Sequence, residues 1–200
     1  MKNETRIVFN SSHIENFRAI IPNVSTHNEN WVYATTTIEM SAVFLSGKGG
    51  DLTCQVGRDP LTNKVFICER FKNSFEYRYN NTSGSIYLLP GDKFIKDKTG
   101  WDEEVVCSEK VDIIQEIKIS NVKSYLLNLI KNDRILLVKF PNKTANIPSD
   151  DEDLVYRGIT WTRQFGDDVL DDFKKLHPNL LDRIKIGLAE GKYLDDKFNE

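Results

Sequence analysis

Long apolar runs and paired cysteines are both missing from this sequence. No stretch approaches the ~18 consecutive apolar residues that a membrane-spanning helix needs, so no membrane contact is expected. Cysteine occurs three times, at Cys54, Cys68 and Cys107, an odd number with no CxxC spacing. That argues against a disulfide framework and a structural zinc site. Each sits in an apolar, strand-like context, which predicts buried free thiols. The three histidines, His13, His27 and His177, show no i,i+4 pairing and no HExxH pattern, so no metal centre is expected. An excess of positive charge is lacking too. A net charge of −3 leaves no global basic footprint for a nucleic-acid backbone. The opening MKNETRIVFNSS has no long apolar segment of the secretory kind, and the expected location is cytoplasmic.

What is present fits an α+β protein of 200 residues, enough for one globular domain with a real core. Strand signals dominate the first two thirds: Arg6 to Phe9, Trp31 to Ala34, Asp51 to Val56, Lys64 to Cys68, Phe75 to Tyr79 and Ser85 to Leu89. Glu104 to Ser108, Asp112 to Ile119 and 134–140 add further candidates. A helix is expected over 121–132, where Val122, Tyr125, Leu126, Leu129 and Ile130 share a face and Ser120 can cap. The acidic turn PSDDED marks a boundary between a domain over 1–147 and a connector with a helical tail over 148–200. In that tail Val169, Leu170, Phe173 and Leu176 form one stripe, and Pro178 opens a second helix.

The stretch YATTTIEMSAVF, followed by GKGG, carries the chemistry. Thr36 and Glu39 fit a capping box, so a helix is expected from Thr37 to about Ser46, ended by Gly47. A phosphate-binding loop needs its glycines before a helix that opens at the Lys-Ser/Thr, and here they follow one. GKGG therefore reads as a helix exit.

Tyr33-Ala34-Thr35 at a strand end, then Ser41, Ala42 and Phe44, resembles the central motif of ADP-ribosyltransferases of the diphtheria-toxin and poly(ADP-ribose) polymerase type. The resemblance implies a split antiparallel β-sheet domain with flanking helices, covering residues 6–119. It also implies NAD as substrate, with Tyr33 and Phe44 stacking on nicotinamide and Ser41 bonding its carboxamide. A late-strand glutamate is the family's catalytic carboxylate. Asp102-Glu103-Glu104-Val105-Val106-Cys107 looks like that element, with Glu103 the best match and Glu104 next. Neighbouring strand residues face opposite ways, so one of the two enters the site. The first motif is represented by Val8-Phe9-Asn10-Ser11-Ser12, where Asn10 stands in place of the family's histidine and Ser11 in place of a glycine. Gly84 to Pro90 is similar to strands of small bacterial and phage relatives. Expected NAD contacts are therefore Asn10, Ser11, Ser12, Tyr33, Ala34, Ser41 and Phe44, with an unspecified acceptor. The counter-reading is a fold that has lost the chemistry and serves as a binding module. RNA 2′-phosphotransfer, which shares the fold, needs paired arginines and a histidine that have no counterpart here.

Overall fold

Two sheets face each other across one short helix, in a computed structural model that describes residues 6–24, 29–46 and 48–194. The fold is mixed α+β. In the larger sheet, β1 (Ile7–Ser12) pairs antiparallel with β7 (Gly84–Pro90) along its whole length, and β10 (Gln115–Ile119) continues beyond β7. On its other side β1 meets β4 (Asn30–Thr35) in one registered pair, Phe9 opposite Thr35. β4 then pairs with β8 (Glu104–Cys107) and with the short β3 (Asn23–Val24). The smaller sheet has β6 (Val65–Glu69) at its centre, antiparallel to β5 (Cys54–Arg58) and parallel to β11 (Ile135–Val138). β2 (Ala19–Ile20) and β9 (Val111–Asp112) form a separate ladder.

Helix α1 (Ile38–Phe44) fills the space between the sheets. Its Met40, Ala42 and Val43 are buried against Ile86 of the larger sheet and Val65 and Ile67 of the smaller one. Phe75 and Tyr79 of α3 (Ser74–Tyr79) and Leu126 and Leu129 of α4 (Val122–Lys131) complete this cluster. The other face of the larger sheet buries Val8, Val32, Ala34, Leu89, Val105 and Cys107. Side-chain alternation thus divides the sheet into an α1 face and an outer face.

The C-terminal helices α5 (Glu152–Phe165), α6 (Asp168–Leu176) and α7 (Leu181–Ala189) share a third cluster. Leu52 of the single-turn α2 (Gly50–Thr53) belongs to it. Arg70, whose side chain is 1% exposed, ties the start of α5 to the smaller sheet through Asp151 at 2.9 Å and Asp153 at 2.8 Å.

Several expectations need correction. FEYRY is α3, not a strand: alternating polarity over five residues also places Phe75 and Tyr79 one turn apart, and both are buried. The strand expected from Asp51 begins at Cys54, after α2. The strand expected over 112–119 is two pieces, β9 and β10. Thr37, not Thr36, caps α1, accepting from the Met40 N–H, while Glu39 pairs with Arg134 rather than reaching back. Asn121, not Ser120, caps α4. α1 ends at Phe44; the expected stop at Gly47, like His27, lies outside the described residues. Helix α5 lies inside the tail expected over 148–200 but carries no helix signal of its own, because Gly158 and four β-branched residues dilute it.

Candidate active site

The divergence of β1 from β4 beyond Phe9 and Thr35 opens the larger sheet beside the residues of interest. Phe9 packs on the α1 face, so Thr35, opposite it, faces α1 as well. Tyr33, two residues earlier, shares that face. On β8, Glu104 lies opposite Thr35 and Val106 opposite Tyr33. Tyr33 and Glu104 therefore project to the same side of adjacent strands. Ala34 points the other way and is a core residue, 3% exposed.

Helix α1 follows β4 directly and packs on both β1 and β4. Its Ser41 and Phe44, three residues apart, lie on one face of the helix. Ser41 is 1% exposed, and its hydroxyl has no hydrogen-bond partner among the described residues. A buried hydroxyl without a partner is costly, and a polar ligand group would supply one. Phe44 is exposed, at 38%, and meets the ring of Trp101 edge-on, with centroids 5.4 Å apart.

Glu103 lies in the turn just before β8, not in the strand, and is buried. Both its oxygens are taken by Arg58 at the end of β5: Nε to Oε1 at 2.5 Å and Nη2 to Oε2 at 2.6 Å. Such a fork-to-fork pair is strong and directional. Arg58 also donates from Nη1 to the Asn63 carbonyl at 2.7 Å, and its Nη2 lies 3.4 Å from the Thr37 hydroxyl. The hydrogen bond to Glu103 raises the arginine's pKa further, so the guanidinium stays charged. The pair links the smaller sheet to the larger one beside the start of α1.

The first-motif residues sit differently. Asn10 lies opposite Tyr87 on the outer face, and its Nδ2 donates to the Tyr33 carbonyl at 2.8 Å, bridging the gap where β1 and β4 part. Ser12 shares that outer face, and its hydroxyl accepts from the Ile14 N–H at 3.1 Å, closing a local turn. Ser11 is on the α1 face by alternation. The His13 ring lies between two loops, its Nδ1 2.9 Å from the Ser83 carbonyl and its Nε2 3.1 Å from the Ser46 carbonyl. The structure thus brings Tyr33, Glu104 and Ser11 to the α1 face of the larger sheet, while Ser41 and Phe44 share one face of α1. It spends the side chains of Asn10 and Ser12 on backbone contacts, and that of Glu103 on Arg58.

Nothing in the sequence singles out Arg58. Its partner is 45 residues away, and RDPLTN reads simply as a turn. Compared with protein families, curated proteins and solved structures, the chain has no significant match in any of the three.

Proposed function

We propose that the chain is an NAD-dependent ADP-ribosyltransferase-like protein, built on that family's split sheet, whose nicotinamide pocket lies between the α1 face of β4 and β8 and helix α1 itself. The observation that carries this reading is the shared face of Tyr33 and Glu104, reached by in-register strands, beneath a helix with an unpartnered buried serine. In it, Tyr33 and Phe44 supply aromatic surface to the nicotinamide ring. The Ser41 hydroxyl bonds its carboxamide. Glu104 is the carboxylate that holds a ribose hydroxyl and offsets the positive charge developing at the anomeric carbon as the bond to nicotinamide breaks. Glu103, although the better match by sequence, is held by Arg58 and serves as an anchor. The acceptor is a nucleophile that attacks the same carbon. NAD titration by calorimetry, paired with an assay of nicotinamide release, tests the reading. Glu104→Gln should keep NAD affinity within about threefold and lower release at least about a hundredfold. Absence of binding at millimolar NAD would remove it.

A second reading has one specific observation in its favour: the Asn10 amide is committed to the Tyr33 carbonyl and is not turned to the α1 face. A fold that binds without reacting would then show NAD or nucleotide affinity with no nicotinamide release in wild type or variants.

A further inference from the structure

We propose that Arg58 is a positioning residue that sets Glu104 against Tyr33, an inference that rests on the functional reading above. The segment Trp101 to Glu104 is a turn closed by the Glu104 N–H donating to the Trp101 carbonyl at 3.1 Å. It is fastened at two points. Trp101 packs edge-on against Phe44 of α1, and Glu103 is gripped through both oxygens by Arg58. Glu104, the next residue, begins the strand and takes its register from Thr35. Any rotation of the turn would therefore swing the Glu104 carboxylate across the α1 face.

Arg58 is itself rigidly held. It closes β5 and lies opposite Val65 of β6, while its Nη1 bonds the Asn63 carbonyl within the same hairpin. That hairpin is tightened by Asp59, whose carboxylate accepts from the Thr62 N–H at 3.1 Å and whose N–H donates to the Lys64 carbonyl at 2.9 Å. The guanidinium reaches out of the smaller sheet with its fork already oriented, so little freedom is lost on gripping Glu103. Nη2 also approaches Thr37, which caps α1. One side chain thus gathers the start of α1, the hairpin of the smaller sheet and the turn that launches β8. A lysine could neutralise Glu103 but could not reproduce two parallel bonds.

The test uses the full chain with Arg58→Ala, Arg58→Lys and the exchanged pair Arg58→Glu with Glu103→Arg. Hydrogen exchange of the segment 101–107 is measured without NAD, and NAD affinity and nicotinamide-release kinetics are measured beside it. Arg58→Ala should speed exchange in this segment about tenfold and lower kcat at least about tenfold, with NAD affinity changed less than about threefold. Arg58→Lys should recover part of the kcat, and the exchanged pair should recover exchange protection. Unchanged exchange at 101–107 in Arg58→Ala overturns the proposal. So does a loss of NAD affinity that accounts for the whole fall in kcat/KM. If wild type neither binds NAD nor releases nicotinamide, the functional reading fails and the positioning role fails with it. The exchange data would then still show whether Arg58 holds the turn, which keeps the two failures apart.

Discussion

The Nε2 of His177, at the end of α6, lies 2.6 Å from the carbonyl oxygen of Leu52 in α2, 125 residues earlier in the chain. A carbonyl accepts and never donates, so Nε2 carries the proton. The ring is 5% exposed and packs near Phe71 and Phe173. This contact is one of the polar ties between the C-terminal helices and the rest of the fold, made here through α2.

Burial lowers the pKa of His177, and the charge of Arg70 acts in the same direction. As pH falls, the unfolded chain therefore takes up the proton first. The stabilisation is complete above the unfolded value of about 6.5 and is lost as pH drops below it toward the folded pKa. Denaturation series between about pH 7.5 and 5 should show stability falling in wild type. His177→Gln, whose amide can still donate, should flatten that fall, whereas His177→Ala should cost about 1–3 kcal/mol by leaving the Leu52 carbonyl unpaired. A wild-type curve parallel to that of His177→Gln would contradict the assignment.

Strands with strong apolar patterning were legible in the sequence. Lys64 to Cys68 and Ser85 to Leu89 coincide with β6 and β7 to within a residue at either end. Both are buried along most of their length, so their composition alone reports the environment. α3 reads as a strand in the sequence because five residues cannot separate a period of 2 from one of 3.6. For the site, local spacing placed Tyr33, Ser41 and Phe44 on a strand and the helix after it, as found. Local spacing could not say which of Glu103 and Glu104 faces α1, because the answer lies in pairing with Thr35 and in a guanidinium from another sheet.

Helices α5 and α7 approach through glycine. A Cβ on Gly158 would come within 2.5 Å of the Ile184 Cδ1, and Gly187 receives Ile159 in the reciprocal way. Gly158 is helical with φ in the ordinary range, so Gly158→Ala gains helix propensity and loses packing room. Overpacking is the larger effect here, because both isoleucines are fully buried. Gly158→Ala should destabilise by about 1–3 kcal/mol. Adding Ile184→Val, which removes the Cδ1 methyl, should recover part of that loss in a double-mutant cycle. Simple additivity would show that the two side chains do not compete for the same space.

Glu116 fastens the segment after β1. Its Oε1 accepts from the Asn16 N–H at 2.9 Å and from the Ser85 hydroxyl at 2.6 Å. These bonds, the Asn16 N–H foremost, hold its carboxyl below the usual glutamate range. The contribution is thus present above the unfolded pKa and disappears as pH falls through the lower folded value. Exchange of the Asn16 amide should be slowed near neutral pH, relative to its intrinsic rate, and lose that protection in acid before the β1–β7 ladder does. Glu116→Gln should show the loosened behaviour already at neutral pH. Equal protection of Asn16 in Glu116→Gln and wild type would sink the idea.

Ser41 sets stability against function. Its hydroxyl is buried in α1 without a partner among the described residues, so it has lost water and gained no bond. Removing such a group while keeping the helix backbone should relieve that cost, and alanine is also the better helix former. Ser41→Ala is therefore expected to stabilise the ligand-free protein by about 1 kcal/mol, against the common outcome of a buried substitution, which is loss. If the hydroxyl serves a carboxamide, the same variant should bind NAD at least about tenfold more weakly. The stabilising effect of NAD on unfolding would shrink in step. Denaturant titrations with and without NAD read both quantities in one series. A destabilised Ser41→Ala with unchanged NAD response would mean that the serine fills space in the core and takes no part in binding.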